Sequence, residues 1–318
     1  MAGQADDLMN AVRVLADGLA FPEGPVVSDD GSVLVSEMAA GRITRVCADG
    51  STETFALTGG GPNGLGRLPG GGLVVCQNGG SRFGLGAWPY EFDGSVEVFR
   101  PVGPPDHAVN PGLQIVARDG TVTELTTTFR TRSGTNRPLV RPSDVCVDKH
   151  GGFYVTDGGT TRGRERIMTG LLYGTPDGDL REIVYPLEMP NGIALSPDGT
   201  RLYLAETRTR RVWEFELTGP GKIRRARGLA TVPSGGALNI GGADGVSTDP
   251  DGRVLVATLG TGGVTIFSPD GELLGAIPAE DPMTTNVTVS PDGLTLYLTL
   301  ASTGRLVAVD NWLSAAGI

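Results

Sequence analysis

Six segments of this 318-residue chain share one outline. Each opens on a small polar residue, runs through a short apolar strand, turns at a Gly-containing pair and enters a second, strongly β-forming strand. They are EGPVVSDDGSVLVSE (23–37), NGLGRLPGGGLVVCQ (63–77), SDVCVDKHGGFYVTD (143–157), NGIALSPDGTRLYLAE (191–206), DGVSTDPDGRVLVAT (244–258) and NVTVSPDGLTLYLTL (286–300). A third strand follows most of them, often with another Asp-Gly turn, as in RITRVCADGSTETF and VTIFSPDGELLGAI. Units of this kind, spaced mostly about 40–55 residues apart, predict the blades of a propeller rather than a sandwich.

The expected fold is therefore all-β: a six-bladed β-propeller with four-stranded antiparallel blades, residues 1–318 forming one domain. The last unit ends at GRLVAVDN without a clear fourth strand, and NAVRVLADG precedes the first. Residues 10–18 are thus expected to close the ring inside the last blade, which removes an exposed edge. One repeat is far too long, and its excess, about 79–112, reads as an insertion. With 50 Gly and 22 Pro the chain approaches low-complexity composition, but its 39% hydrophobic and 19% charged residues, well mixed, oppose disorder.

The net charge of −10 excludes a basic groove for nucleic acid or an attraction to anionic membrane. The run Arg208, Arg210, Arg211, Lys222, Arg224, Arg225 and Arg227 reads as a solvated face of outer strands. MAGQADDLMNAVRVLADG lacks the basic start and apolar core of a signal peptide, and no stretch approaches 18 apolar residues, so a soluble, cytoplasmic protein is expected. Cys47, Cys76 and Cys146 are odd in number and widely spaced in strand-like runs, which predicts free thiols.

The residue opening each inner strand points to chemistry. Glu23, Ser143, Asn191 and Asp244 lie seven positions before the turn pair, and Asn63 and Asn286 lie six. In a propeller the innermost strands ring the axis, so these starting positions converge at one face. All six carry oxygen, which suits a hard divalent cation: Ca²⁺ first, with Mg²⁺, Mn²⁺ or Zn²⁺ as alternatives. Taken singly, Asn63, Asn191, Asp244 and Asn286 fit turn residues as well as ligands. Glu23 is different, because Glu-Gly after Pro is not a favoured turn signal. Glu23, Asn191 and Asp244 are accordingly read as the metal ligands.

Four motifs carry a family likeness: FPEGPVV around Glu23, RPSDVCVDKHGGFYVTD around Ser143 and Asp144, MPNGIALSPDGTRLYLAET around Asn191, and ADGVSTDPDGRVLVAT around Asp244. In these the chain resembles the gluconolactonase and regucalcin group of six-bladed propellers with one catalytic metal. The resemblance implies Glu23, Asn191 and Asp244 as ligands and Asp244 also as general base or electrostatic partner. It departs where the family has Asn followed by Asp and this chain has Ser143-Asp144, since a hydroxyl is a shorter, poorer ligand than an amide.

The expected reaction is opening of a small-molecule lactone, with a metal-polarised carbonyl and an activated water. Ser143, Asp144 and Asn63 are the expected substrate contacts, and Asn286 is expected as a more distant residue behind the ligands. Arg82, Trp88 and Tyr90, with Phe83 and Phe92, sit on the insertion, which reads either as a lid over the funnel or as a loop packed on the blade surface. Hydrolysis of phosphotriester or phosphofluoridate bonds at the same metal, and a non-catalytic binding module, are the alternatives. There is no G-x-S-x-G elbow; His107 lies in the insertion and His150 at an outer turn, which opposes a Ser-His-Asp triad.

Overall fold

A computed structural model describes residues 12–87, 97–162, 164–234 and 242–318. The repeated turn explains its own geometry. In Ser-Pro-Asp-Gly the glycine takes the left-handed conformation, as at Gly199 (φ 70), and the carboxylate accepts the backbone N–H two residues on, Thr200 N to Asp198 Oδ1 at 2.9 Å. Asp30, Asp148 and Asp292 accept the N–H of Ser32, His150 and Leu294 in the same way. The outcome is a series of inner hairpins that coincide with the six repeats.

These hairpins head six sheets set around an axis. The first blade joins Pro22–Val27, Val33–Glu37, Arg42–Val46 and Thr52–Leu57. The second joins Pro62–Arg67, Leu73–Gln77, Gly112–Val116 and Val122–Thr126, the fourth runs from Pro190–Leu195 to Lys222–Thr231, and the fifth from Gly242–Thr248 to Leu273–Ile277. Thr284–Val289, Thr295–Leu300 and Arg305–Asp310 make the sixth, and its outermost strand is the N-terminal Val12–Ala16, antiparallel to Arg305–Asp310 with Val12 opposite Val309. The expected closure is present.

The third blade departs from the four-strand expectation. Outside Pro142–Val147, Phe153–Asp157, Thr169–Gly174 and Leu180–Leu187 it carries the hairpin Thr128–Arg130 and Asn136–Pro138, attached through a parallel bridge between Arg130 and Arg181.

Second strands such as Val33–Glu37 and Leu73–Gln77 are buried along their whole length, because both faces of a blade pack against neighbours. The core accordingly lies between blades, as where Val74 and Leu113 of the second meet Val145 and Phe153 of the third. Among the described residues Cys47, Cys76 and Cys146 are free, and no helix is long and apolar enough to cross a membrane. In the basic run, Arg224 pairs with Glu216, and Arg227 pairs with Glu214 at 2.8 Å, on the outer strands of the fourth blade.

Candidate active site

Just past the ring position, adjacent inner strands approach too closely at the axis for a side chain on four of the six blades. A Cβ on Gly192 would stand 2.2 Å from the carbonyl oxygen of Asp244, and one on Gly24 2.6 Å from that of Asn63. Glycine therefore follows Glu23, Asn63, Asn191 and Asp244, and that requirement accounts for the Asn-Gly and Asp-Gly pairs. It also fixes the register. Counting from the hairpin pairs Val27–Val33 and Val289–Leu296, the sixth-blade partner of Glu23 is Thr285, and Asn286 aligns one position further on with Asp144. The ring is thus Glu23, Asn63, Ser143, Asn191, Asp244 and Thr285, and all six line one cavity of about 210 Å³. Asn286 is not on the ring; with Asp144 it fills the axis beneath it and faces the opposite mouth of the channel.

Five of the six ring residues are buried, Glu23 being 5% and Asp244 4% exposed, Asn191 is partly exposed, and ring groups touch. Asn191 Nδ2 donates to Asp244 Oδ1 and, at 3.3 Å, to Thr207 Oγ1. Asn286 Nδ2 donates to Glu23 Oε2 at 3.2 Å, which also accepts Gly24 N–H at 3.1 Å. Asp144 accepts the N–H of Val145 at 2.9 Å and of Ile193 at 3.3 Å. Hydroxyls tie neighbouring blades to the ring backbone: Ser36 donates to the Asn63 carbonyl and Thr156 to that of Asn191, both at 2.6 Å, and Thr285 to that of Pro22 at 3.1 Å.

Three carboxyl groups in a buried channel cannot all ionise unaided. Burial, and then the Asp144 charge, push the Glu23 carboxyl up to about 8 against the Asn286 and Gly24 hydrogen bonds. Burial pushes Asp144 up to about 7. Asp244 lies well above the ordinary carboxylate range through burial first and the charges of Glu23 and Asp144 next, opposed by Arg141 and Asn191. The Arg141 guanidinium faces Asp244, and burial pulls it below its ordinary value. This donor set fits a divalent cation: the oxygens are hard, two carboxylates meet at the ring, and one positive ion would remove their mutual repulsion. Among the described residues no three His, Cys, Asp or Glu gather closely enough to hold an ion alone, so amide and hydroxyl oxygens would complete the shell.

The family comparison decides the membership: residues 21–302 match the SMP-30/Gluconolactonase/LRE-like region. The chain belongs to the SMP-30/gluconolactonase/LRE-like family. Among curated relatives of this family member, diisopropyl-fluorophosphatase of Loligo vulgaris is 28% identical over 59% of this chain and 62% of its own length. Gluconolactonase of Zymomonas mobilis is 32% identical over 49% of this chain and 47% of its own. The matches thus span about three fifths of those relatives or less. Among solved structures, a gluconolactonase of Xanthomonas campestris has a TM-score of 0.72 at 23% identity, covering 94% of this chain and 89% of its own. A calcium-binding regucalcin of Agrobacterium tumefaciens scores 0.68 at 18% identity, covering 94% and 93%. At these identities both share the fold with the SMP-30/gluconolactonase/LRE-like chain.

Of the insertion, Arg82–Ala87 and Glu97–Gly103 form an antiparallel hairpin, while Trp88, Tyr90 and Phe92 lie outside the described residues. The hairpin leaves the second blade yet packs on the first, fifth and sixth. Phe83 and Phe99 meet Phe21 with ring centroids 4.9 and 6.5 Å away, Phe99 N donates to Ser302 Oγ at 3.0 Å, and Val98 is buried with Leu259. Arg100 and Pro101 reach the cavity, whereas Arg82 is exposed and does not line it.

Sequence reasoning missed Thr285, Arg141 and Arg100, and also the residues that aim the ring. Glu37 Oε2 accepts Ala20 N–H, Gln77 Oε1 accepts Gly61 N–H and Glu206 Oε1 accepts Glu188 N–H, each at 2.7 Å; Asp157 accepts Val140 and Arg141 N–H at 2.9 and 2.7 Å. An acid or amide closing four of the six repeats was the signal for them.

Proposed function

We propose that this protein is a divalent-cation-dependent hydrolase that opens a lactone in the cavity above the oxygen ring. Glu23, Asn191 and Asp244 would hold the ion, Ca²⁺ first among the candidates, with Asn191 turning its amide oxygen inward. Such an ion, when bound, polarises an ester carbonyl and lowers the pKa of water. The observation that supports this reading most is the convergence of six oxygen-bearing residues from six blades on one cavity, with two buried carboxylates, the Glu23 charge raising Asp244. Lactonase and gluconolactonase relatives agree with it.

Asp244 takes the proton from the attacking water as general base. Deprotonated, it is steadied by the Asn191 amide and the facing Arg141 guanidinium. Ser143, Asn63 and Thr285 line the rest of the ring and orient the ester oxygens; Asp144 supports the ring from below. The hairpin walls the cavity with Arg100 and Pro101 and limits bulk water.

A phosphofluoridate-type activity at the same site is a second reading, favoured by the relative of that activity. The deciding experiment is a panel of lactones and a phosphofluoridate followed by acid release, with protein stripped by chelator and then reloaded. Loss and recovery of lactone turnover is expected; undiminished turnover in stripped protein would remove the proposal.

A further inference from the structure

The ring has a second tier above it, formed by the position two residues ahead of each ring residue. In five blades the carbonyl there accepts a hydrogen bond from the residue just past the second strand. The pairs are Met38 N to Phe21 O at 3.1 Å, Asn78 N to Gly61 O at 3.0 Å, Gly158 N to Arg141 O at 2.9 Å, Thr207 N to Met189 O at 3.1 Å and Ala301 N to Met283 O at 2.9 Å. This shared bond marks the positions as equivalent. Phe21, Met189 and Met283, with Met38 and Leu259 beside them, line the same cavity as the ring, so the tier is apolar on three blades and cationic at Arg141.

Two of these side chains are held there against local preference. Phe21 (φ 59) and Met189 (φ 53) are two of the four non-glycine residues with positive φ among the described residues, and each precedes a proline. A bulky residue in the left-handed region is strained and persists only where its surroundings impose it. The surroundings are on hand: Glu37 and Glu206 grip the backbone N–H one residue ahead, at Ala20 and Glu188.

We propose that this tier is the specificity determinant of the site and receives the apolar body of the cyclic ester whose carbonyl reaches the ring. The inference rests on the hydrolase reading and refines it: the preferred substrate is an alkyl-substituted lactone rather than a polyhydroxylated sugar lactone. Each hydroxyl of a sugar lactone needs a partner on burial, and phenyl and thioether groups make poor partners. Arg100 adds little, since its Nε and Nη1 already donate to the carbonyls of Ala87 and Pro101, both at 2.8 Å. Three methionines give a wall that adapts to an aliphatic chain.

The test is calorimetric binding of two non-hydrolysed analogues to calcium-supplemented protein: a γ-lactam bearing a five-carbon chain, and gluconolactam. The alkyl lactam is expected to bind at least about tenfold tighter, and Met189→Gln with Met283→Gln to cut that ratio by roughly tenfold or more. Equal or tighter binding of gluconolactam, no binding of either, or a ratio unmoved in a natively folded double variant would overturn it. The wild-type ratio needs no variant, so misfolding of the pair leaves the test standing. Alkyl-lactam binding without turnover of either matching lactone sinks the hydrolase reading alone; turnover with gluconolactam bound as tightly sinks the tier alone.

Discussion

Glu23 and Asp244 stand on either side of the sixth blade in the ring; the Glu23 charge raises Asp244, and Asp144 raises both. Replacing either by its amide removes one buried charge while keeping shape and most hydrogen bonds. Glu23→Gln and Asp244→Asn are expected to lower turnover by at least about 100-fold and to weaken calcium binding, with native far-ultraviolet circular dichroism. Titration calorimetry with calcium checks the second effect, and retained turnover in both variants would show that the ring is not the reacting site. A binding scaffold would lose calcium affinity with no turnover to lose. The sequence displayed five of the six ring residues, because each opens its strand six or seven positions before a Gly-containing turn. It placed Asn286 one step out, since a turn can absorb one residue without altering the pattern. Thr285 was hidden for the same reason, and Arg141 because a cation ahead of Pro has no local signature.

At the scale of elements, we propose that the hairpin Arg82–Ala87 and Glu97–Gly103 acts as a lid rather than a surface loop. Its aromatic contacts with Phe21 and its Arg100 and Pro101 in the cavity wall set it across the mouth, away from its own blade. Replacing residues 80–108 with a short turn is expected to leave the six sheets intact and to change relative kcat/KM across a lactone panel by about tenfold or more. Unchanged ratios would return the hairpin to a packing role. Sequence identified the insertion by its length, but its long-range partners, Ser302 at 203 positions from Phe99, carry no local pattern.

For the whole molecule, the buried acids link stability to pH. Glu23, at about 8 in the folded state against an ordinary 4.5, and Asp144, at about 7 against 3.8, keep their protons in the fold and lose them on unfolding. The folded state then binds more protons between those limits, so stability is greatest below the ordinary values and falls as pH rises through about 8. The Tm of chelator-treated protein is expected to drop by roughly 5 °C or more from about pH 5 to about pH 8.5, and calcium to flatten that drop. A Tm that climbs over the same range in stripped protein would contradict the electrostatics. Sequence by itself determined the number of blades, their inner hairpins and the closing strand, because turn chemistry and strand alternation are local and repeat six times. Tertiary structure alone decided which side chains share the cavity, which stand above or beneath the ring, and how far their charges shift one another, because those depend on distances between strands tens to hundreds of residues apart.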